Sequence, residues 1–142
     1  MESLPSDPQL VKGRFIKVVR DLFLDELRLR KLRTHELQSI GETDDVGQLQ
    51  RALQKSLRNC RENSTQVVLA LDEVESLVGD ANDIERGGRD YVPEILGVIR
   101  ALVQQNPNFS VIFSGITSAI IERGYLYGRE NPLFSWAKQY YI

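Results

Sequence analysis

The sequence predicts an α/β fold, a three-layer α-β-α arrangement with helices on both faces of a parallel sheet. Two short, uninterrupted apolar runs, Val67–Leu71 and Phe109–Phe113, flank a helix-length amphipathic segment. Runs without alternation suit strands covered on both faces. Each run stops at polar residues, Asp72-Glu73 after the first and Ser114-Gly115 after the second. Two strands joined by a helix form a βαβ unit, whose chemistry sits at the carboxyl ends of its strands.

The elements follow in order. From Pro8 to Lys31, the residues Val11, Phe15, Val18, Val19, Leu22, Phe23 and Leu27 recur at three- and four-residue steps and form one helical stripe. Asp7 and Pro8 suit an N-cap and a first helical position. Leu24 and Leu29 fall off the stripe, so this helix is expected to be covered on two sides. Thr34 to Asp45, with His35, reads as loop. Asp44 or Asp45 caps a second helix, from Val46 to Asn59, with Val46, Leu49, Leu53 and Leu57 inside and Gln48, Gln50, Lys55 and Arg58 outside. Arg61 to Thr65 is a polar break before the first strand. Past Glu73, the residues Val74, Leu77 and Val78 mark a short helix, and Gly79 to Arg89 reads as loop. A third long helix, Tyr91 to Gln104, buries Ile95, Val98, Ile99, Leu102 and Val103, tolerates Pro93 in its first turn and stops at Asn106-Pro107-Asn108. After the second strand come a helix from Thr117 to Gly124, a loop from Tyr125 to Pro132, and the start of an amphipathic helix from Leu133 to Ile142. Residues 1–45 are thus an N-terminal helix and loop, and 46–142 the core of a single domain.

Composition excludes several functions. Eighteen basic against twenty acidic side chains give a net charge of −2 over 142 residues, with no general pull toward nucleic acid or anionic lipid. No apolar stretch approaches the roughly 18–20 residues that span a bilayer. The single cysteine, Cys60, cannot form an internal disulfide, which fits a cytoplasmic protein, and cannot build a cysteine zinc site. The single histidine, His35, leaves no histidine cluster. Cys60 lies near Arg58 and Arg61, so it reads either as an accessible thiol of lowered pKa or as an incidental one. Arg28, Arg30, Lys31 and Arg33 gather near the end of the first helix. They suit solvated cations that favour the helix dipole and pair with Glu26 and Glu36, with nucleic-acid contact as the alternative. Tyr125, Tyr127, Trp136, Tyr140 and Tyr141 read as core packing.

The acid pair Asp72-Glu73 carries the most chemistry. An unpaired carboxylate inside an apolar sheet would cost several kcal/mol. The pair therefore belongs at the strand exit, facing water or a cation. One reading makes Asp72 the cap of the helix that starts at Val74. The other is a phosphate-transfer site, in which Asp72 holds Mg²⁺ through a water and Glu73 polarises the attacking water. A metal nuclease built from Asp72, Glu73 and Glu75 is disfavoured, because Glu75 falls on another face and no lysine is nearby.

VVLALDEVESLV (67–78), followed about forty residues on by FSVIFSGITSAIIERGYLYGRENPLF (109–134), resembles P-loop ATPases of the AAA+/STAND type. The resemblance covers 65–142. It implies that Asp72 and Glu73 are Walker B residues, with Asp72 on Mg²⁺ and Glu73 the catalytic base. It implies that Ser114 is the sensor-1 residue for the γ-phosphate, and that Arg123 or Arg129 is a phosphate-contacting arginine. It also implies ATP and Mg²⁺ as cofactors, and a parent protein that uses hydrolysis to switch conformation or assemble with itself or other proteins. One departure is large: no Gly-x-x-x-x-Gly-Lys-Ser/Thr occurs, and Val11-Lys12-Gly13-Arg14 does not substitute for it. The chain alone is therefore expected to bind ATP poorly, as a fragment whose P-loop lies upstream or as a degenerate homologue. The alternative is a non-catalytic protein-interaction module, with Asp72-Glu73 a mere strand-end cap.

Overall fold

Strands β1 (Val67–Leu71) and β2 (Phe109–Phe113) pair in parallel, Val67 opposite Phe109 and Leu71 opposite Phe113. They form the centre of a computed structural model that describes residues 8–79, 81–115 and 119–138. The helices are α1 (Pro8–Leu29), α2 (His35–Gln38), α3 (Val46–Glu62), α4 (Glu75–Val78), α5 (Ala81–Arg86), α6 (Tyr91–Gln105) and α7 (Ala119–Glu122), and a small antiparallel hairpin joins β3 (Tyr125–Leu126) to β4 (Arg129–Glu130). The fold is mixed α/β with a two-stranded parallel sheet among the described residues. No helix there is long and apolar enough to cross a membrane.

Local chemistry explains the helix ends. The Asp45 carboxylate accepts the Gly47 N–H at 2.8 Å and starts α3. Both α1 and α3 close with a left-handed residue that is not glycine, Lys31 and Ser64. In each case the next N–H reaches back five residues, Leu32 to the Leu27 carbonyl and Thr65 to the Cys60 carbonyl. This closure satisfies carbonyls that the helix end would otherwise orphan. It lets α3 run past Asn59 to Glu62.

The core draws on α1, α3, α6 and one face of the sheet. Leu37, Leu57, Val92, Ile95 and Leu96 are fully buried. The Phe23 and Phe109 rings meet at 6.3 Å and tie α1 to β2. The stripe on α1 differs from the sequence expectation. Ile16 is buried, whereas Val18 and Leu22 are each 52% exposed; of the two off-stripe leucines, Leu24 is buried as expected and Leu29 is 78% exposed. At roughly 100° per residue, Val18 and Leu22 lie about 100–140° round the helix from Phe23, at the edge of the covered arc.

Cover on both sheet faces is not found. Val67, Leu69, Leu71, Val111 and Phe113 pack against the core, while Val68 and Ile112 on the opposite face are 60% and 57% exposed. The apolar run encodes two apolar faces, and the described residues cover one of them, with Phe109 buried and the others partly buried. Four loop or helix boundaries also change. His35 begins the short helix α2, and α5 occupies the stretch read as the Gly79 to Arg89 loop. The Tyr125 to Pro132 loop is a hairpin whose two turn residues, Tyr127 and Gly128, both have positive φ, the backbone of a two-residue turn. Leu133 to Lys138 forms turns rather than helix, with Ser135 at φ 60 breaking the run. Thr117 and residues 139–142 lie outside the described residues.

Candidate functional site

The two strand ends are clamped together. The Ser114 N–H donates to the Leu71 carbonyl at 2.9 Å, and the Val74 N–H donates to the Ser114 carbonyl at 3.0 Å. The ladder therefore continues one step past the strands and sets Asp72 beside Ser114. The Ser114 hydroxyl donates to Asp72 Oδ1 at 2.6 Å, and the Glu73 N–H donates to the same oxygen at 2.8 Å. Asp72 is exposed, yet the Ser114 hydroxyl, and after it the Glu73 N–H, hold its carboxyl below the usual range. Both bonds favour the charged form.

Glu73 sits at φ 49, in the left-handed region. The other left-handed residues that are not glycine end helices or form turns, whereas Glu73 links a strand to a helix. Its side chain is exposed at the mouth of the strand ends. The next residue, Val74, is 4% exposed and anchors the turn. Asp72 is not the cap of the following helix: α4 starts at Glu75 without a side-chain cap, and Asp72 is occupied by Ser114 and Glu73. A third carboxylate is close. A Cβ at Gly115 would meet Glu75 Oε1 at 2.5 Å, so only glycine lets Glu75 lie against this turn as it does.

The arginines stand apart from the pair. Arg123 is partly buried and precedes β3, and Arg129 is exposed on β4. Among the described residues neither side chain bonds to Asp72, Glu73 or Ser114. The hairpin that carries Arg129 is docked beside α4 by the Tyr127 hydroxyl, which donates to the Val78 carbonyl at 2.6 Å. Gly79 permits this approach, because it has φ 88 and a Cβ there would meet Tyr127 Oη at 2.7 Å.

Sequence reasoning passed over a set of buried asparagines that hold the site's supports. Asn131 donates through Nδ2 to the Ile120 and Arg123 carbonyls at 2.7 and 2.8 Å and accepts the Leu133 N–H at 3.0 Å. Asn106 bonds Gln54 and the Leu102 carbonyl, and Asn108 bonds the Leu57 and Thr65 carbonyls, joining the start of β2 to α3 and β1. The signal was the pairing of asparagine with proline, in Asn106-Pro107-Asn108 after α6 and in Asn131-Pro132 after β4.

Other sequence candidates resolve differently. Cys60 is 1% exposed, and burial pushes its thiol up, with the nearby Arg30 charge opposing in part; it is no reactive thiol. The basic cluster is paired as expected, Arg30 with Glu26 at 3.8 Å and Arg33 with Glu36 at 2.7 Å, while Arg28 meets Asp25 at 3.9 Å. Tyr125 is 67% exposed rather than packed. Trp136 lies under the Arg100 guanidinium at 5.7 Å, and Tyr140 and Tyr141 fall outside the described residues.

The strand-end residues fit Mg²⁺ and ATP only in part. Asp72 keeps a second carboxylate oxygen for a water-bridged cation. Among the described residues no three His, Cys, Asp or Glu side chains converge as a metal site, and the sequence holds no phosphate cradle. The remaining ligands would have to come from elsewhere. No protein-family model, curated protein or solved structure matches the chain.

Proposed function

We propose that the chain carries the metal-and-sensor side of an AAA+/STAND-like ATPase site, within a three-layer P-loop core. In this reading Asp72 holds Mg²⁺ through a water, Glu73 polarises the attacking water, and Ser114 senses the γ-phosphate. The observation that carries it is the 2.6 Å bond between Ser114 and Asp72. Two residues forty-two positions apart meet at the carboxyl ends of adjacent parallel strands, the place where α/β sheets bind ligands. The left-handed backbone at Glu73 adds support, since strain of this kind gathers at functional turns. ATP and Mg²⁺ are the cofactors of the complete domain, with the phosphate cradle supplied by sequence outside the 142 residues. Arg123 or Arg129 contacts phosphate, and the cycle drives a conformational switch or assembly with protein partners.

The reading is tested in two ways. In a protein joining these residues to a P-loop segment, Glu73→Gln keeps nucleotide binding and removes hydrolysis; unchanged turnover overturns the assignment of the base. With the chain alone, Mn²⁺ broadens the amide signals of Asp72, Glu73 and Ser114 first, and Asp72→Asn removes the effect.

A second reading, a protein-interaction module without catalysis, is favoured by the bare sheet face at Val68 and Ile112. Mn²⁺ broadening with no focus at the strand ends supports this reading over the first.

A further inference from the structure

A groove of about 330 Å³ runs between the second half of α1 and the outer edge of β1. Leu22, Phe23 and Leu27 line one wall, and residues 65–70 line the other. The edge of the strand is open there. The Val67 N–H donates to the Asn108 carbonyl and the Leu71 carbonyl accepts the Ser114 N–H, so the odd-numbered residues of β1 carry the ladder to β2. Alternation along the strand turns the N–H and C=O of Val68 and Ala70 the other way. Among the described residues no strand pairs with them on that side and no other group bonds them. Natural edge strands are guarded by charge, proline or a bulge. Gln66 to Leu71 holds no charged residue and no proline, and its pairing with β2 runs without a bulge.

Free backbone donors and acceptors in this spacing fit another extended strand. The strand complements itself. Paired antiparallel with its own copy about a two-fold axis at Leu69, Val68 faces Ala70 of the second copy and Ala70 faces the second copy's Val68, which makes about four hydrogen bonds. The faces also match: Leu69 meets its counterpart on the core side, and the exposed Val68 and Ala70 lie together on the outer side. The same axis sets the two groove walls side by side and covers Leu22 of α1. The groove also holds one acid and one base, Glu26 and Arg30, both exposed and 3.8 Å apart. An antiparallel copy presents these two charges in reverse order, acid toward base, whereas a peptide of a single charge meets repulsion at one of them.

We propose that the free edge of β1 is a self-association site, at which a second copy of the chain adds its own β1 antiparallel and joins the two sheets into one. The interface uses neither Glu73 nor Ser114, so it is independent of the strand-end chemistry.

Sedimentation equilibrium of the chain from about 20 to 500 µM, with amide hydrogen exchange by NMR at both ends of that range, tests it. The expected result is a dimer with Kd on the order of tens of micromolar, weak because the contact is small. Exchange at the Val68 and Ala70 amides slows several-fold from the dilute to the concentrated sample. Val68→Pro removes an outward N–H and leaves the ladder to β2 intact, and Leu22→Glu sets a charge against its own copy; each weakens association at least about tenfold and leaves the circular dichroism of the monomer unchanged. Where Val68→Pro fails to fold, Leu22→Glu decides, because Leu22 is 52% exposed. A chain that stays monomeric throughout, whose edge then belongs to a strand of another protein, would overturn the proposal. So would a dimer in which Val68 and Ala70 exchange as fast as in the monomer, or unchanged association in either folded variant.

Discussion

The Ser114 hydroxyl donates to Asp72 Oδ1 at 2.6 Å and joins the polar ends of two parallel strands that lie far apart in sequence. The bond has a titration signature. Ser114→Ala removes the main cause of the lowered Asp72 pKa, so that pKa rises toward the ordinary carboxyl value, while the Glu73 N–H keeps part of the effect. Carboxyl-carbon NMR titration of the wild type and the variant measures it; identical curves would sink the attribution.

The sign of the pH effect follows. Asp72 has a lowered pKa in the folded state, so the stabilisation from its bonds is fully present above the unfolded value of roughly 3.9. It is lost as pH falls through the folded value. Acid unfolding of Ser114→Ala is therefore less steep below about pH 4 than that of the wild type, as followed by circular dichroism.

Glu73→Gly is expected to stabilise the fold. Relief of the left-handed backbone is worth about 1–2 kcal/mol, and the extra freedom of glycine in the unfolded chain offsets part of it. The net gain is about 0.5–1 kcal/mol in urea unfolding. A loss of stability would show that the Glu73 side chain makes a compensating contact.

Asn131→Ala should cost about 2–4 kcal/mol, because it strands the Ile120 and Arg123 carbonyls and the Leu133 N–H together. Asn131→Asp should be no better, since a carboxylate cannot donate to the two carbonyls. Urea midpoints of both variants check this. A cost below 0.5 kcal/mol, roughly the effect of an ordinary surface change, would mean that water replaces the side chain freely.

Cys60 should resist thiol reagents in the folded protein and react rapidly in denaturant, because its thiol is both buried and shifted up. Ellman's reagent gives the two rates. Equal rates would mean that the packing over Cys60 on α3 opens far more often than its burial implies.

Much of the fold was legible in the sequence. The apolar faces of α3 and α6 follow from three- and four-residue spacing, because each helix presents one face to one core. Both strands, and their polar exits at Asp72 and Ser114, follow from short β-branched and aromatic runs that stop abruptly. The hairpin was not legible, since Tyr127 takes a turn position usually given to Asn, Asp or Gly. The α1 stripe was misread at Val18 and Leu22, because periodicity marks an apolar arc without saying how far round its neighbours reach.

By itself the sequence determined which residues could be strand or helix and that an acid pair must leave the first strand at a wet end. Local spacing and desolvation cost are properties of a few neighbouring residues, and these suffice for both statements. Only the tertiary structure decided that Ser114 is the partner of Asp72, that Glu73 takes a left-handed turn, that Val68 and Ile112 are exposed on one sheet face, and that Glu36 is buried. Each depends on register or burial between segments tens of residues apart, and no local pattern encodes which distant atom arrives within hydrogen-bond reach.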